Sequence, residues 1–135
     1  MVGRGSTGRG PGRVDDRAQR GASGEQAALE HLQRHGLKLV QRNYRVARGP
    51  GAPGGEVDLV MRESDGTLVF VEVRVRTTTR QGGAAASVGA AKQRRVVHAA
   101  RHYLLRLPAP PPCRFDVVAI DGGQLEWIRA AFDAG

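Results

Sequence analysis

Two apolar runs joined by a short turn, in residues 55–76, constrain the fold of this chain more than any other stretch. The turn is Ser64-Asp65-Gly66, and an Asp-Gly step between alternating apolar runs is one of the strongest short-range signals for a β-hairpin. We therefore predict a strand in residues 56–62, a three-residue turn, and a second strand in residues 67–76. Both strands carry carboxylates where a strand buried in a core would need none.

The second strand of this hairpin has two unlike faces, because side chains alternate along a strand. One face is built from valines only, whereas the other is apolar at Phe70 and charged at Glu72 and Arg74. Glu72 is therefore expected at the edge of a hydrophobic core, next to a shallow cleft.

The predicted turn sets a register in which Asp58 faces Glu72 and Glu56 faces Arg74 across the two strands. Two carboxylates that face each other repel unless a positive charge lies between them. A divalent cation such as Mg²⁺, which prefers oxygen ligands and accepts one or two protein carboxylates, meets that requirement. A solvated polar face with cross-strand salt bridges is the competing interpretation, and the charge pattern alone leaves both open.

A helix is predicted in residues 24–35, because Ser23 begins a capping box and Gly36 is a typical helix stop. Glu25 lies on the face that this helix would bury. The residues that follow it there by helical spacing are apolar: Ala28, Leu29 and Leu32. A carboxylate at the end of an apolar stripe needs a cation, a metal or a hydrogen-bond donor. An acid in the first turn is also favoured by the helix dipole, so both explanations remain open.

The rest of the chain is predicted to combine strands with one more helix. The segments are a strand in 37–46, a glycine- and proline-rich loop in 48–54, a flexible loop in 76–86, a helix in 87–107, and strands in 114–121 and 124–128. On the second helix Gln93 continues the apolar stripe and Lys92 lies on its flank. The predicted fold class is α/β, with the element order α-β-β-β-α-β-β.

Composition and charge narrow the partners and the compartment. Residues 1–21 are rich in glycine and arginine, so we predict a disordered basic tail there and a single folded domain in residues 22–135. The formal net charge of +8 favours a polyanion, either nucleic acid or an acidic membrane surface. No apolar run is long enough to cross a bilayer, and Cys113 as the single cysteine fits a reducing compartment. A cytoplasmic protein is therefore expected.

Four motifs in a fixed order make the chain recognisable at the level of a family. They are G-E-V-D-L-V, F-V-E-V-R-V-R, A-K-Q-R-R and C-R-F-D-V-V-A-I, within residues 24–132. Together they resemble the YraN family of uncharacterised bacterial proteins, which is similar to the restriction-endonuclease-like, or PD-(D/E)xK, superfamily and to archaeal Holliday-junction resolvases. This resemblance implies a restriction-endonuclease-like core, a mixed β-sheet flanked by helices, and a phosphodiesterase site that depends on Mg²⁺ or Mn²⁺.

The resemblance also implies roles for individual residues. Asp58 and Glu72 correspond to the metal-binding acids of the superfamily pattern, and Glu25 to an additional acid on the first helix. Glu56 is a motif residue with a structural or supporting role. Arg74 stands where the superfamily places a lysine, and since its guanidinium stays protonated it can clamp phosphate but cannot act as a base.

Basic and polar residues near this pattern complete the set of candidates. Lys92 and Gln93 on the second helix are candidates to replace the missing lysine. Arg76, Arg94 and Arg95 are candidates for contacts with nucleic acid.

Three functions follow as hypotheses. The first is a metal-dependent endonuclease-like protein that binds nucleic acid and hydrolyses DNA, with branched or single-stranded DNA as candidate substrates and a homodimer left open by the likeness to resolvases. The second is a nucleic-acid-binding module that keeps the nuclease fold with weak or no catalysis, as Arg74 suggests. The third is a structural partner of another protein through the arginine-rich face of the second helix.

Overall fold

The chain folds into one mixed sheet with a helix on each face. The computed structural model describes residues 12–76 and 88–134, with side chains from residue 21 onward. The elements are α1 (Gly12–Arg34), β1 (Lys38–Val46), β2 (Gly55–Arg62), β3 (Leu68–Arg76), α2 (Ala90–Leu104), β4 (Cys113–Asp121) and β5 (Gln124–Phe132). The predicted α/β class and the order α-β-β-β-α-β-β are confirmed.

The five strands lie in the order β1-β2-β3-β4-β5. β3 and β4 are parallel and the other neighbours are antiparallel. A parallel pair needs a crossover connection, and α2 provides it between β3 and β4. The sheet is therefore mixed, as expected.

Two hydrophobic layers cover the two faces of the sheet. α1 packs Leu29 and Leu32 against Val69 and Val71 of β3, the predicted valine face. α2 packs on the opposite face, where Val96 lies in one cluster with other buried side chains that include Phe70, Phe115 and Tyr103. Both faces of β3 are thus buried along most of the strand, and the charged end of one face is placed beside α2.

The hairpin turn has the predicted length. The Glu63 N–H donates to the Thr67 carbonyl at 2.9 Å, and the Gly66 N–H donates back to the Glu63 carbonyl at 2.9 Å. Gly66 has a φ of 95°, a left-handed conformation that glycine adopts without strain. The paired residues include Leu59 and Val71, which is the register that a three-residue turn predicts.

α1 is longer than predicted. It begins at Gly12 rather than Gly24, so Ser23 lies inside the helix instead of capping it. Residues 12–21 of the predicted disordered tail are therefore helical, and residues 1–11 lie outside the described residues. Gly24 is buried, and a Cβ there would lie 2.3 Å from Val75 Cγ2. Its small size serves close packing of α1 on β3, and this tertiary packing overrides the local stop and start signals.

The ends of the other elements also shift. α2 spans a shorter range than predicted, and the flexible loop expected in residues 76–86 lies almost wholly outside the described residues. β5 continues to Phe132, four residues beyond its predicted end, because buried Asp116 of β4 accepts hydrogen bonds from Trp127 Nε1 and the Ala130 N–H, each at 2.9 Å. Across residues 12–76 and 88–134, neither helix has the length and apolar character needed to cross a membrane.

Candidate functional site

The two strands of the hairpin stop pairing where the acids begin. Their last paired residues are Leu59 and Val71. Residues 63 and 67 form a hydrogen-bonded pair, and in an antiparallel hairpin such pairs recur at every second residue along each strand. After Leu59 and Val71, the next hydrogen-bonded pair would therefore be residue 57 and Val73. Instead the Val73 N–H donates to Asp58 Oδ2 at 2.8 Å. The Asp58 carboxylate takes the place of a backbone carbonyl and is fixed at the junction between β2 and β3.

On the other edge of β2, the pairing with β1 is also irregular at this point, at Asn43. Asn43 has a positive φ of 52°, and the paired residues of β1 and β2 include Arg42 with Leu59 and Tyr44 with Val57 but omit the position between them. Asparagine tolerates the left-handed conformation better than most residues. The side chains of β2 change face here: Leu59 packs on the α1 side, whereas Val57 packs on the α2 side.

Glu25 is brought to this junction by α1. Its Oε1 accepts a hydrogen bond from Asn43 Nδ2 at 3.4 Å and lies 3.5 Å from Arg42 Nη2. Its negative charge is one of the influences that raise the pKa of Asp58, so the two carboxylates are electrostatic neighbours. The partner that a carboxylate on the buried stripe needs is therefore a cation and an amide, both from β1.

Glu72 is the most deeply buried acid of the site. Its side chain is 2% exposed, and Oε1 has no hydrogen-bond partner in the described part of the chain. Oε2 lies 3.8 Å from Arg74 Nη1 and 3.7 Å from Lys92 Nζ. Two cations thus approach one oxygen and leave the other unsatisfied.

Burial and mutual repulsion hold a proton on the Asp58 and Glu72 pair. Burial, followed by the charge of Asp58, raises the pKa of Glu72 to about 8, against the opposing effect of Lys92 and Arg74. Burial also raises the pKa of Asp58, against the opposing hydrogen bond from Val73. Two carboxylates cannot hydrogen-bond to each other, but a proton on either lets it donate to the other. Near neutral pH the pair therefore shares a proton.

Lys92 reaches the site from α2. Its Nζ lies 3.5 Å from Glu56 Oε2 and 3.7 Å from Glu72 Oε2, and the other oxygen of Glu56 lies 3.9 Å from Arg45 Nε. The helix can come this close because residue 55 is glycine: a Cβ there would lie 2.3 Å from the Arg95 carbonyl oxygen. Gly55 and Lys92 are thus linked through the packing of α2 on β2.

Gly55→Ala is expected to destabilise the protein by about 2 to 3 kcal/mol, because the clash is with backbone and α2 must move away from β2. Urea denaturation measures the change. Gly49→Ala, in the connection that precedes β2, is the matched control, since a Cβ there meets no atom within 4 Å. Equal stability of the two variants would contradict the inferred packing.

Four other predicted residues lie on α2 or at the end of β3. Gln93 Nε2 donates to the Val88 carbonyl at 3.1 Å, at the start of α2. Arg94 and Arg95 are exposed on α2, and Arg76 is partly buried at the end of β3. Their contacts with nucleic acid stay a prediction.

Three residues of β1 were missed by the sequence analysis: Arg42, Asn43 and Arg45. Asparagine is rare in strands, so Asn43 in the middle of a strand-like run was the signal that could have drawn attention to them.

The donor set suits a magnesium-type cation. In residues 12–76 and 88–134, no three histidine, cysteine, aspartate or glutamate side chains form a metal site by themselves. Mg²⁺ commonly takes only one or two protein carboxylates and completes its octahedron with water and substrate phosphate. Asp58 and Glu72 provide two carboxylates, one of them with an unsatisfied buried oxygen. These two residues therefore fit the group that the resemblance implies.

Comparison with known proteins identifies the family. The model of the "Uncharacterised protein family UPF0102" matches residues 24–120. The chain belongs to the UPF0102 family. The predicted likeness to the YraN family is confirmed at this level, and the UPF0102 match extends from α1 into β4 and so includes every element that contributes to the site.

Similar relatives occur in several bacteria. A UPF0102 protein of Methylibium petroleiphilum is 66% identical over 114 residues, which cover 84% of this chain and 93% of the relative. A UPF0102 protein of Acidovorax sp. strain JS42 is 63% identical over 114 residues, 84% of each chain. A UPF0102 protein of Paracidovorax citrulli is 61% identical over 115 residues, 85% of this chain and 83% of the relative.

Proposed function

We propose that this UPF0102 protein is a metal-dependent phosphodiester hydrolase that acts on nucleic acid, with DNA as the favoured substrate. One observation carries the proposal: two carboxylates from adjacent strands, buried Glu72 and half-buried Asp58, lie together with raised pKa values, and Glu72 has an unsatisfied oxygen. A structural role would be served at lower cost by apolar side chains, because burying like charges is unfavourable. Sites of this kind are common where proteins carry out chemistry.

The arrangement of elements gives further support. The acids lie on β2 and β3, a third acid comes from α1, and the mixed sheet has a helix on each face. This agrees with what the resemblance to restriction-endonuclease-like nucleases implies for the core and for its metal-binding acids. The likeness to those enzymes is part of the proposal.

The charges around the site favour a phosphate diester. Its carboxylates are Glu25, Glu56, Asp58 and Glu72, and its cations are Arg42, Arg45, Arg74 and Lys92. Formal charges balance when all the acids are ionised. Because Asp58 and Glu72 share a proton near neutral pH, the site is then positive and attracts a polyanion, as does the net charge of +8.

In hydrolysis the oxygen of water bonds to phosphorus while the bond from phosphorus to one ester oxygen breaks. One water proton ends on the departing oxygen and the other is released, so that a diester and water become a monoester and an alcohol. Asp58 and Glu72 would hold the cation, which when bound would polarise the phosphate and lower the pKa of the attacking water. Glu25 orients that water, and Arg74 contacts a non-bridging phosphate oxygen.

A substrate panel tests the proposal. Purified protein is incubated with labelled duplex DNA, single-stranded DNA, branched DNA and RNA, with Mg²⁺, with Mn²⁺ and with EDTA. We expect cleavage of at least one DNA substrate that stops in EDTA and returns when Mg²⁺ is restored. Protein carrying Asp58→Asn, purified in the same way, controls for contaminating nucleases. No cleavage of any substrate, or equal cleavage by the variant preparation, would reject the proposal.

A binding module without catalysis is the second candidate, and the contact between Arg74 and Glu72 favours it. A guanidinium 3.8 Å from the proposed metal ligand competes with a cation for the same oxygen. This function requires binding that falls steeply with salt, is indifferent to EDTA and survives Asp58→Asn. Fluorescence anisotropy with a labelled oligonucleotide at several salt concentrations separates the two candidates.

A further inference from the structure

Lys92 lies between two acids that have different roles in the proposed reaction. Its Nζ is 3.7 Å from Glu72 Oε2 and 3.5 Å from Glu56 Oε2, and the side chain is 22% exposed. Glu72 is a proposed metal ligand, whereas Glu56 is not. A cation bound at Glu72 would repel the Lys92 ammonium, and the contact with Glu56 would remain.

Glu56 is well placed to retain Lys92 in that situation. Its two oxygens are divided between two cations, Oε1 toward Arg45 and Oε2 toward Lys92. The side chain is 29% exposed, and it comes from β2, directly after the glycine that lets α2 approach the sheet. Gly55 and Glu56 therefore act on Lys92 in two ways: the first allows its helix to approach, and the second holds its ammonium.

We infer that Lys92 is a second cation, besides Arg74, that contacts the reacting phosphate, and that Glu56 positions it. This inference rests on the proposed hydrolase function and assigns to α2 the task that the resemblance places on a strand lysine, where this chain has Arg74. An ammonium is a compact charge on a flexible stem with three donors, so Lys92 can keep Glu56 and turn a second donor toward a phosphate oxygen. Its effect is to stabilise charge that develops on the phosphoryl oxygens, without proton transfer.

Single-turnover cleavage tests the assignment. Lys92→Met is expected to slow cleavage roughly a hundredfold, and Glu56→Gln roughly tenfold because the ammonium is present but loosely held. The double variant should be no slower than Lys92→Met, since Glu56 acts only through Lys92. Lys38→Met, at the exposed start of β1, is the matched control and should cleave at the wild-type rate. Wild-type cleavage by Lys92→Met, or losses that multiply in the double variant, would overturn the inference.

A second measurement does not depend on catalysis. The chain has only two lysines, Lys38 and Lys92. Labelling with lysine that carries ¹³C at Cε leaves the charge and the three N–H donors of each side chain intact and gives one ¹H–¹³C methylene position to follow for each lysine. The two lysine signals are assigned with Lys38→Arg and Lys92→Arg. An unlabelled single-stranded oligodeoxynucleotide is then added in EDTA, where no hydrolysis occurs.

The Lys92 signal should move on addition of the oligonucleotide, more than the Lys38 signal does, and Glu56→Gln should shrink that movement. A Lys92 signal that stays in place would overturn the phosphate contact. One outcome separates the two proposals in this way: the wild-type protein cleaves no substrate, but the Lys92 signal moves and the movement depends on Glu56. In that case the hydrolase proposal is rejected and the phosphate contact is supported. If the wild-type protein cleaves while Lys92→Met cleaves equally well, the hydrolase stands and this inference fails.

Discussion

Asp58→Asn is expected to lower the rate of metal-dependent cleavage roughly a thousandfold, about 4 kcal/mol of barrier, in a protein that stays folded. The asparagine retains a side-chain oxygen that can accept the Val73 N–H, so the junction between β2 and β3 is preserved. It lacks the charge needed to hold a divalent cation. The substitution also removes one cause of the raised pKa of Glu72, so that acid ionises more readily. The lost activity therefore reports the missing carboxylate at position 58.

The measurement is a single-turnover rate at saturating Mg²⁺, with the fold checked by circular dichroism and urea denaturation. Glu126→Gln on β5 is the control, because Glu126 is exposed and its substitution also removes one carboxylate. A rate for Asp58→Asn within about tenfold of wild type would remove Asp58 from the set of metal ligands. The same loss in Glu126→Gln would attribute the effect to net charge.

The pairing of the two strands was predictable because local chemistry fixes it. Gly66 supplies the left-handed residue that a three-residue turn needs. The turn then determines which residues of β2 and β3 are paired. The predicted facing pairs, Asp58 with Glu72 and Glu56 with Arg74, are not formed, because pairing ends at Leu59 and Val71. Asp58 is instead held beside β3 by the hydrogen bond that it accepts from the Val73 N–H. The position of Glu25 was also predictable from the local pattern, since helical spacing places it on the same face as buried Leu29.

Contacts that depend on packing between elements were not predictable. Ser23 and Gln26 match a capping box, which predicted that the helix begins there. α1 nevertheless continues through Ser23, because Gly24 packs closely on Val75 of β3. The position of Lys92 depends on how α2 crosses β2, and only the assembled structure shows that Gly55 determines it. Sequence placed Lys92 on the correct helix and on the flank of its buried stripe, but it could not choose between Lys92 and Gln93.

In the proposed hydrolase, exchange of a proton for a cation would link the chemistry of the site to the stability of the protein. Without a bound cation, the pair of Asp58 and Glu72 keeps a proton up to about pH 8, because the pKa of Glu72 is raised to about 8. A cation that binds the two carboxylates must displace that proton, so metal binding is expected to strengthen as pH rises. In the absence of metal, by contrast, the free energy of unfolding is expected to fall as pH rises.

Glu72→Gln is therefore expected to stabilise the metal-free protein at alkaline pH, by on the order of 5 kcal/mol above pH 8. The pKa of Glu72 is about 8 in the folded protein against 4.5 in the reference state. Below pH 4.5 both states carry the proton and the residue adds no pH dependence. Between pH 4.5 and 8 the unfolded chain releases the proton while the folded chain keeps it, so the stability of the wild type falls as pH rises. Glutamine stays neutral and removes that fall.

Thermal and urea unfolding at pH 5, 7 and 8.5, first in EDTA and then with Mg²⁺, measure both sides of this linkage. In EDTA the advantage of Glu72→Gln should grow from pH 5 to pH 8.5. With Mg²⁺ at pH 8.5 the wild type should gain stability through binding and the variant should not. The difference in free energy of unfolding between the two proteins should therefore become smaller or change sign. Glu126→Gln should follow the wild type in every condition. A wild type whose stability is flat from pH 5 to 8.5 would show that Glu72 is already ionised in the folded protein, with Lys92 and Arg74 outweighing its burial.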